Sequence, residues 1–230
     1  MMRNKGALAY IMAALTFIGI VLILFTLDNA DRKTQEQSRR MHLQSQLGVV
    51  RAELESAINA RLSLTRGLAV YVSYHPEISN DDFELFARGL STQISGVLSI
   101  QLAKNSVISH VYPLAWNEKV MGLDLARDLP EEQRFGLKKA IESPSGFLSG
   151  PVKLIQGGVA LIHRMPVNYA VNDGDSQIGD YWGLATILIS WKKVLEDSNL
   201  LKLGEDYSVA LKGKDRSEEH TSELQSLAYL

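Results

Sequence analysis

The chain has 230 residues, 46% of them apolar and 22% charged, with a formal net charge of −2 at pH 7. That balance leaves no basic excess to hold nucleic acid. There are no cysteines, which excludes disulfides, thiolate nucleophiles and thiolate metal sites. What remains is ordinary globular composition, enough for one good-sized domain or two small ones.

Residues 7–27 (ALAYIMAALTFIGIVLILFTL) carry no charge. At about 1.5 Å rise per residue, such a helix matches a hydrocarbon core about 30 Å thick. It is long for the apolar part of a signal peptide, and no small-x-small cleavage pattern follows it. The run therefore predicts a retained anchor, with a short cytoplasmic tail, over residues 1–28. Arg3 and Lys5 ahead of it favour a cytoplasmic N-terminus, while Arg32, Lys33, Arg39 and Arg40 pull the other way. A short basic tail is the usual start of a signal-anchor. The expected topology therefore places the following residues outside the cytoplasm, tethered to the inner membrane.

From Asn29 to Tyr74 there is no proline and no glycine cluster, and helix formers dominate. Apolar residues recur at Leu43, Leu47, Val50, Leu54, Ala57, Leu64, Leu68 and Tyr71. This four-and-three spacing predicts a stalk helix over residues 29–75 with a coiled-coil-like seam, interrupted only by Arg61. The upper half is expected to cover the chain's own sheet and the lower half to pair with a second copy, making a homodimer. His75-Pro76 ends the helix, because a residue before proline avoids the helical region.

Residues 79–95 read as a shorter helix with Ser79 and Asp82 forming a capping-box-like start. Strands are predicted at 97–103 and 107–113, a helix at 130–142, a strand at 181–189 that is apolar throughout and therefore central, and a helix at 191–201. A further strand is expected at 204–212. Between these lies residues 149–168, SGPVKLIQGGVALIHRMPVN. Two β-rich arms, 152–156 and 159–167, flank Gly157-Gly158 and predict a hairpin. His163 and Arg164 break its apolar run. Successive strand side chains point to opposite faces, so at most one of the pair lines any pocket, and Arg164 is the preferred one. The order of elements is α+β, with an antiparallel sheet against a long helix.

Residues 216–226 (RSEEHTSELQS) resemble the translation of a sequencing-adapter oligonucleotide. On that reading native sequence stops near Asp215, and residues 216–230 are an artefact.

Four pieces carry a family resemblance: SIQLAKNSVISHVYPLAWNEKVMGLDL, AIES, LSGPVKLIQGGVALIHRMPV and YWGLATILI. Together they resemble the CHASE sensory domain, an extracytoplasmic sensor of bacterial diguanylate cyclases, phosphodiesterases and histidine kinases and of plant cytokinin receptors. The resemblance implies a stalk helix followed by PAS-like units, ligand binding in the membrane-distal one, and homodimers. It divides the chain into a sensor unit at 76–203 and the start of a truncated second unit at 204–215. In plant members an aspartate beside the segment matching MGLDL binds the adenine ring, which implies a ligand contact at Asp124. The hydroxyl residue of their matching strand is Ile162 or His163 here, so cytokinin recognition is not implied.

Candidate ligand-binding residues are thus Asp124, Arg164, Tyr112, Trp116 and His163. Tyr112 and Trp116 offer flat faces with a polar edge, and Arg164 offers a bidentate fork for an anion. Asp124 is equally a candidate cap for a turn, while Trp116 and Trp182 are equally core candidates. No metal or cofactor is expected. The histidines are scattered, Asp173-Gly174-Asp175 lacks the spacing of a calcium loop, and no serine sits in a nucleophile elbow. An acid–base pair of Asp124 and His110 is the enzymatic rival. The expected role is a non-catalytic sensor of an unknown small molecule that signals to an output domain, foremost a diguanylate cyclase. A histidine-kinase sensor or a stand-alone tethered binding protein is the alternative.

Overall fold

A computed structural model describes the backbone of residues 3–154, 158–171, 179–206, 210–212 and 218–220, and the side chains of most of these. The chain divides into two compact units, Met1–Val49 and Val50–Leu230. Helix α1 runs Arg3–Tyr74, so residues 50–74 of the expected stalk lie in the unit that holds the sheet. In the first unit Phe17, Phe25 and the leucines and isoleucines around them are exposed. Among the described residues no helix is long and apolar enough to cross a membrane. The anchor expected at 7–27 falls in part on residues 7–11, 13 and 14, whose side chains are not described.

The second unit is built on a five-stranded antiparallel sheet in the order β2-β1-β5-β4-β3. Its strands are β1 Val97–Lys104, β2 Val107–Tyr112, β3 Phe147–Lys153, β4 Val159–Asn168 and β5 Tyr181–Ser190. The unbroken apolarity of β5 is explained by its place at the centre, paired on both sides and covered on both faces. The hairpin of β3 and β4 forms, with β3 starting at Phe147 rather than at Val152. Its turn residues 155–157 lie outside the described residues, and Gly158 after them takes φ +80°. β3 is an edge strand, which tolerates Pro151. At Gly150, with φ +114°, the pairing slips between Ser149 and Val152.

One face of the sheet packs under α1 and α2 (Asn80–Gln93). Leu68 and Val72 of α1, Phe83 and Ala87 of α2, and Ile100, Leu102, Leu161, Val167, Ile187 and Ile189 of the strands form this main core. The capping box holds as read: Ser79 Oγ accepts from the Asp82 amide at 3.1 Å and donates to its carboxylate at 2.7 Å. Trp182 is a core residue, its indole donating to the Pro76 carbonyl at 3.0 Å. The other face is covered by the segment after β2, a 3-10 turn at Glu118–Val120, then α3 (Leu125–Asp128) and α4 (Glu131–Glu142). A smaller apolar cluster of Ile108, Leu125, Leu129, Leu137 and Leu184 closes part of it.

Three expectations need correction. Arg61 does not interrupt the packing stripe of α1 but sits inside it, 1% exposed, with Thr65, Leu68 and Val72 buried after it and Ile58 packed before it. Its guanidinium donates to the carbonyls of Ser95 at 2.7 Å and Ala57 at 2.7 Å and pairs with Asp197 at 2.6 Å. The helix at 191–201 is two, α5 Trp191–Asp197 and α6 Leu200–Asp206, broken at Asn199 with φ +53°. Residues 204–206, expected to begin a strand, belong to α6. Among the described residues of the expected strand after these, Ala210–Lys212 form β6, which pairs with β7, Glu218–His220.

Candidate ligand-binding site

Strand alternation decides which side chains meet which layer. In β4 the odd-numbered Val159, Leu161, Met165 and Val167 join the main core under α1, and Ile162 and Arg164 turn to the α4 face. Register then aligns three polar residues in one row across that face. Arg164 of β4 pairs with Thr186 of β5, which pairs with Gln101 of β1. All three are buried, and Gln101 donates to Ser99 Oγ, two residues along the same face, at 3.2 Å.

Two cavities adjoin on this row. The larger, about 500 Å³, lies between α4 and the β3–β4 hairpin and is lined by Phe135, Gly136, Phe147, Ser149, Ile162 and Arg164 among others. A side chain on Gly136 would collide with the Ser149 hydroxyl, so glycine here lets α4 approach β3. Phe135 and Phe147 meet edge to face, ring centres 6.4 Å apart, at one wall. The smaller cavity, about 70 Å³, is lined mainly by Ile108, Val120, Leu123, Leu129 and Leu188, and shares Arg164 and Gln133 with the larger.

Arg164 is the polar centre of both. It is 5% exposed, and burial pulls its guanidinium down to about 10 from the usual arginine range. Its Nε has no partner, nor does the buried hydroxyl of Ser149 in the same wall. Among the described residues no hydrogen bond or ion pair meets this guanidinium, in contrast to Arg61.

The other sequence candidates are not brought to the cavities. His163 faces the α1 side, where burial first, and the Arg66 charge after it, lower its pKa to about 4 against a backbone contact with Ser145. Tyr112 packs against the main core at the end of β2. Trp116 is 83% exposed in the loop beyond it. Asp124 caps α3, its Oδ1 accepting from the Ala126 amide at 2.9 Å and its Oδ2 lying 3.5 Å from Arg127. His110 tilts against Phe83 of α2, ring centres 5.2 Å apart, so it stands on the helix-covered side. Part of the buried polar row missed in the sequence was legible there. Ser99 and Gln101 alternate with Ile100 and Leu102, a period-two polar face inside an apolar strand.

The fold has known counterparts. The sensory domain of the Campylobacter jejuni chemoreceptor Tlp3 is similar at a TM-score of 0.56 and 13% identity, over 80% of this chain and 72% of that one. The ligand-binding domain of the Pseudomonas aeruginosa PAO1 amino acid chemoreceptor PctC, solved with GABA, matches at 0.50 and 16%, over 74% of this chain and 71% of its own. An extracellular ligand-binding receptor from Desulfohalobium retbaense matches at 0.52 and 17%, and this chain spans only 26% of its length. No curated protein matches. At these identities the likeness is one of fold, the PAS-like arrangement of a long helix against an antiparallel sheet. The profile of the CHASE domain matches residues 48–225, more than three-quarters of the sequence and all of the sheet, and the chain belongs to the CHASE domain family of ligand-binding sensors.

Proposed function

We propose that this chain is the extracytoplasmic sensing part of a membrane-bound signal-transduction receptor, and that its ligand sits in the Arg164 cavity. The observation that carries the reading is a buried, unpartnered guanidinium facing a cavity of about 500 Å³ in a CHASE-type sheet. A folded domain rarely keeps a desolvated charge without compensation unless something else supplies it. Membrane tethering is supported by the charge-free run at residues 7–27 and by the exposed apolar side chains from Leu15 to Leu27. Pairing of two copies is supported by the Leu43–Leu47 seam, where Leu47 is 47% exposed. Ligand-dependent repacking of the sheet against α1 would bias a cytoplasmic output domain, a diguanylate cyclase in the favoured form of this reading and a histidine kinase in the second.

The test is a melting-temperature screen of the full chain against small metabolites, since a ligand that binds only the folded state raises its midpoint. Hits whose shift disappears on substitution of Arg164, and persists on substitution of Trp116, support the site. Hits indifferent to Arg164 would place the ligand elsewhere.

A further inference from the structure

We infer that the ligand of this cavity is a small monocarboxylate without a neighbouring ammonium group, held through its carboxylate by Arg164. The inference rests on the sensor reading above and deepens it.

The argument begins with charge. Arg164 brings one formal positive charge to a cavity wall where its side chain is almost fully covered, and among the described residues nothing neutralises it. A planar guanidinium matches a planar carboxylate with two parallel hydrogen bonds, each charge-assisted. Ser149, with its hydroxyl unpartnered in the same wall, supplies a further donor. The charge to be matched is therefore a single one. Lys153 also lines both cavities but is exposed, and an exposed ammonium keeps its hydration and offers little to a buried ligand, so a doubly charged phosphate would bring more charge than the buried wall returns.

The rest of the ligand is constrained by what the walls lack. Among the described lining residues of both cavities there is no aspartate and no glutamate. An α-ammonium group carried in beside the carboxylate would lose its water with no anion to meet it, a cost that a zwitterionic amino acid would bear and a simple carboxylate would not. Phe135, Phe147 and Ile162 instead present apolar surface next to the guanidinium. The smaller cavity of about 70 Å³, which shares Arg164 and is walled mostly by aliphatic side chains, adds room for a short apolar group. A short aliphatic or aromatic acid satisfies both demands.

Titration calorimetry and melting of the full chain with matched probes test this: isovalerate and benzoate, their amides isovaleramide and benzamide, L-leucine, and inorganic phosphate. The expected result is that a carboxylate raises the melting temperature, while its amide, leucine and phosphate do not. Arg164→Met should then weaken carboxylate binding by about 10- to 100-fold, the loss of a charged hydrogen-bonded pair, and Arg164→Lys should restore part of it. Binding of L-leucine with the affinity of isovalerate, or of phosphate above both, overturns the ligand class and leaves the sensor reading intact. Equal binding of acid and amide, unchanged in Arg164→Met, overturns the role of the guanidinium. A screen in which every stabilising metabolite binds Arg164→Met as well as wild type overturns both the inference and the site.

Discussion

Arg61 and Arg164 are buried alike, 1% and 5% exposed, on opposite faces of one sheet. They differ in what meets their nitrogens. Arg61, on α1, donates to two backbone carbonyls and a carboxylate, so its desolvation is offset inside the fold and it fastens α1 to the end of α2 and to α5. Arg164, on β4, faces two cavities and meets nothing among the described residues. Burial alone therefore does not separate a structural arginine from a binding one, and the state of the partners does. The first arginine stabilises the folded chain. The second is a local cost that a ligand of opposite charge removes.

The comparison can be broken most sharply at Arg61. Arg61→Leu leaves the Ser95 carbonyl without its donor and Asp197 without its main partner. Urea unfolding at pH 7 should show a loss of about 3 kcal/mol, the cost of leaving the Ser95 and Ala57 carbonyls without the donor that meets them. A change below about 0.5 kcal/mol would mean that the clamp is ornamental. Next comes the face under α1, where His163 is held neutral. Its folded pKa, about 4, lies below the unfolded value of about 6.5. The neutral form thus favours folding above about pH 6.5, and that contribution is lost as pH falls toward 4. The loss amounts to about 3 kcal/mol over this window. Midpoints measured from pH 7.5 to 4 should fall more steeply for wild type than for His163→Gln, and parallel curves would contradict the burial of a neutral ring.

Arg164→Met should act in the opposite direction to Arg61→Leu. Removing an uncompensated buried charge should stabilise the ligand-free chain by about 1–2 kcal/mol, read as a higher urea midpoint with an unchanged slope. Destabilisation equal to that of Arg61→Leu would show that the two arginines are equivalent after all. The smallest effect sharpens the frame around both: Ser79→Ala removes the cap of α2 and should cost about 1 kcal/mol, without altering any ligand-dependent shift.

Much of this arrangement was legible from local pattern. The capping box at Ser79, the strands on either side of Asn105, the central apolar β5 and the helix behind Pro130 all follow from rules that act within a few residues. So does the opposition of His163 and Arg164, because a strand's two-residue period acts wherever the strand lies. Where sequence and structure part, the differences have a common source. Arg61 read as a break because its partners, the Ser95 carbonyl and Asp197, lie 34 and 136 positions away in sequence. Tyr112 and Trp116 read as pocket walls because aromatic rings suit one, yet the chain turns after β2 so that one joins the main core and the other faces solvent. Asp124 satisfies its own helix start, an outcome its sequence left as open as ligand contact.

The residues alone therefore determine the α+β order of elements, the strand periodicity, the caps and the family, since these depend on short-range sterics and on contiguous pattern. Folding in three dimensions decides which face of β4 is hollow. The approach of α4, permitted at Gly136, leaves space over Arg164 rather than over His163, and the register of β1, β5 and β4 brings Gln101, Thr186 and Arg164 into one row. Neither can be read from residues so far apart in the chain, because cavity and charge balance are set by what packs against a side chain from elsewhere.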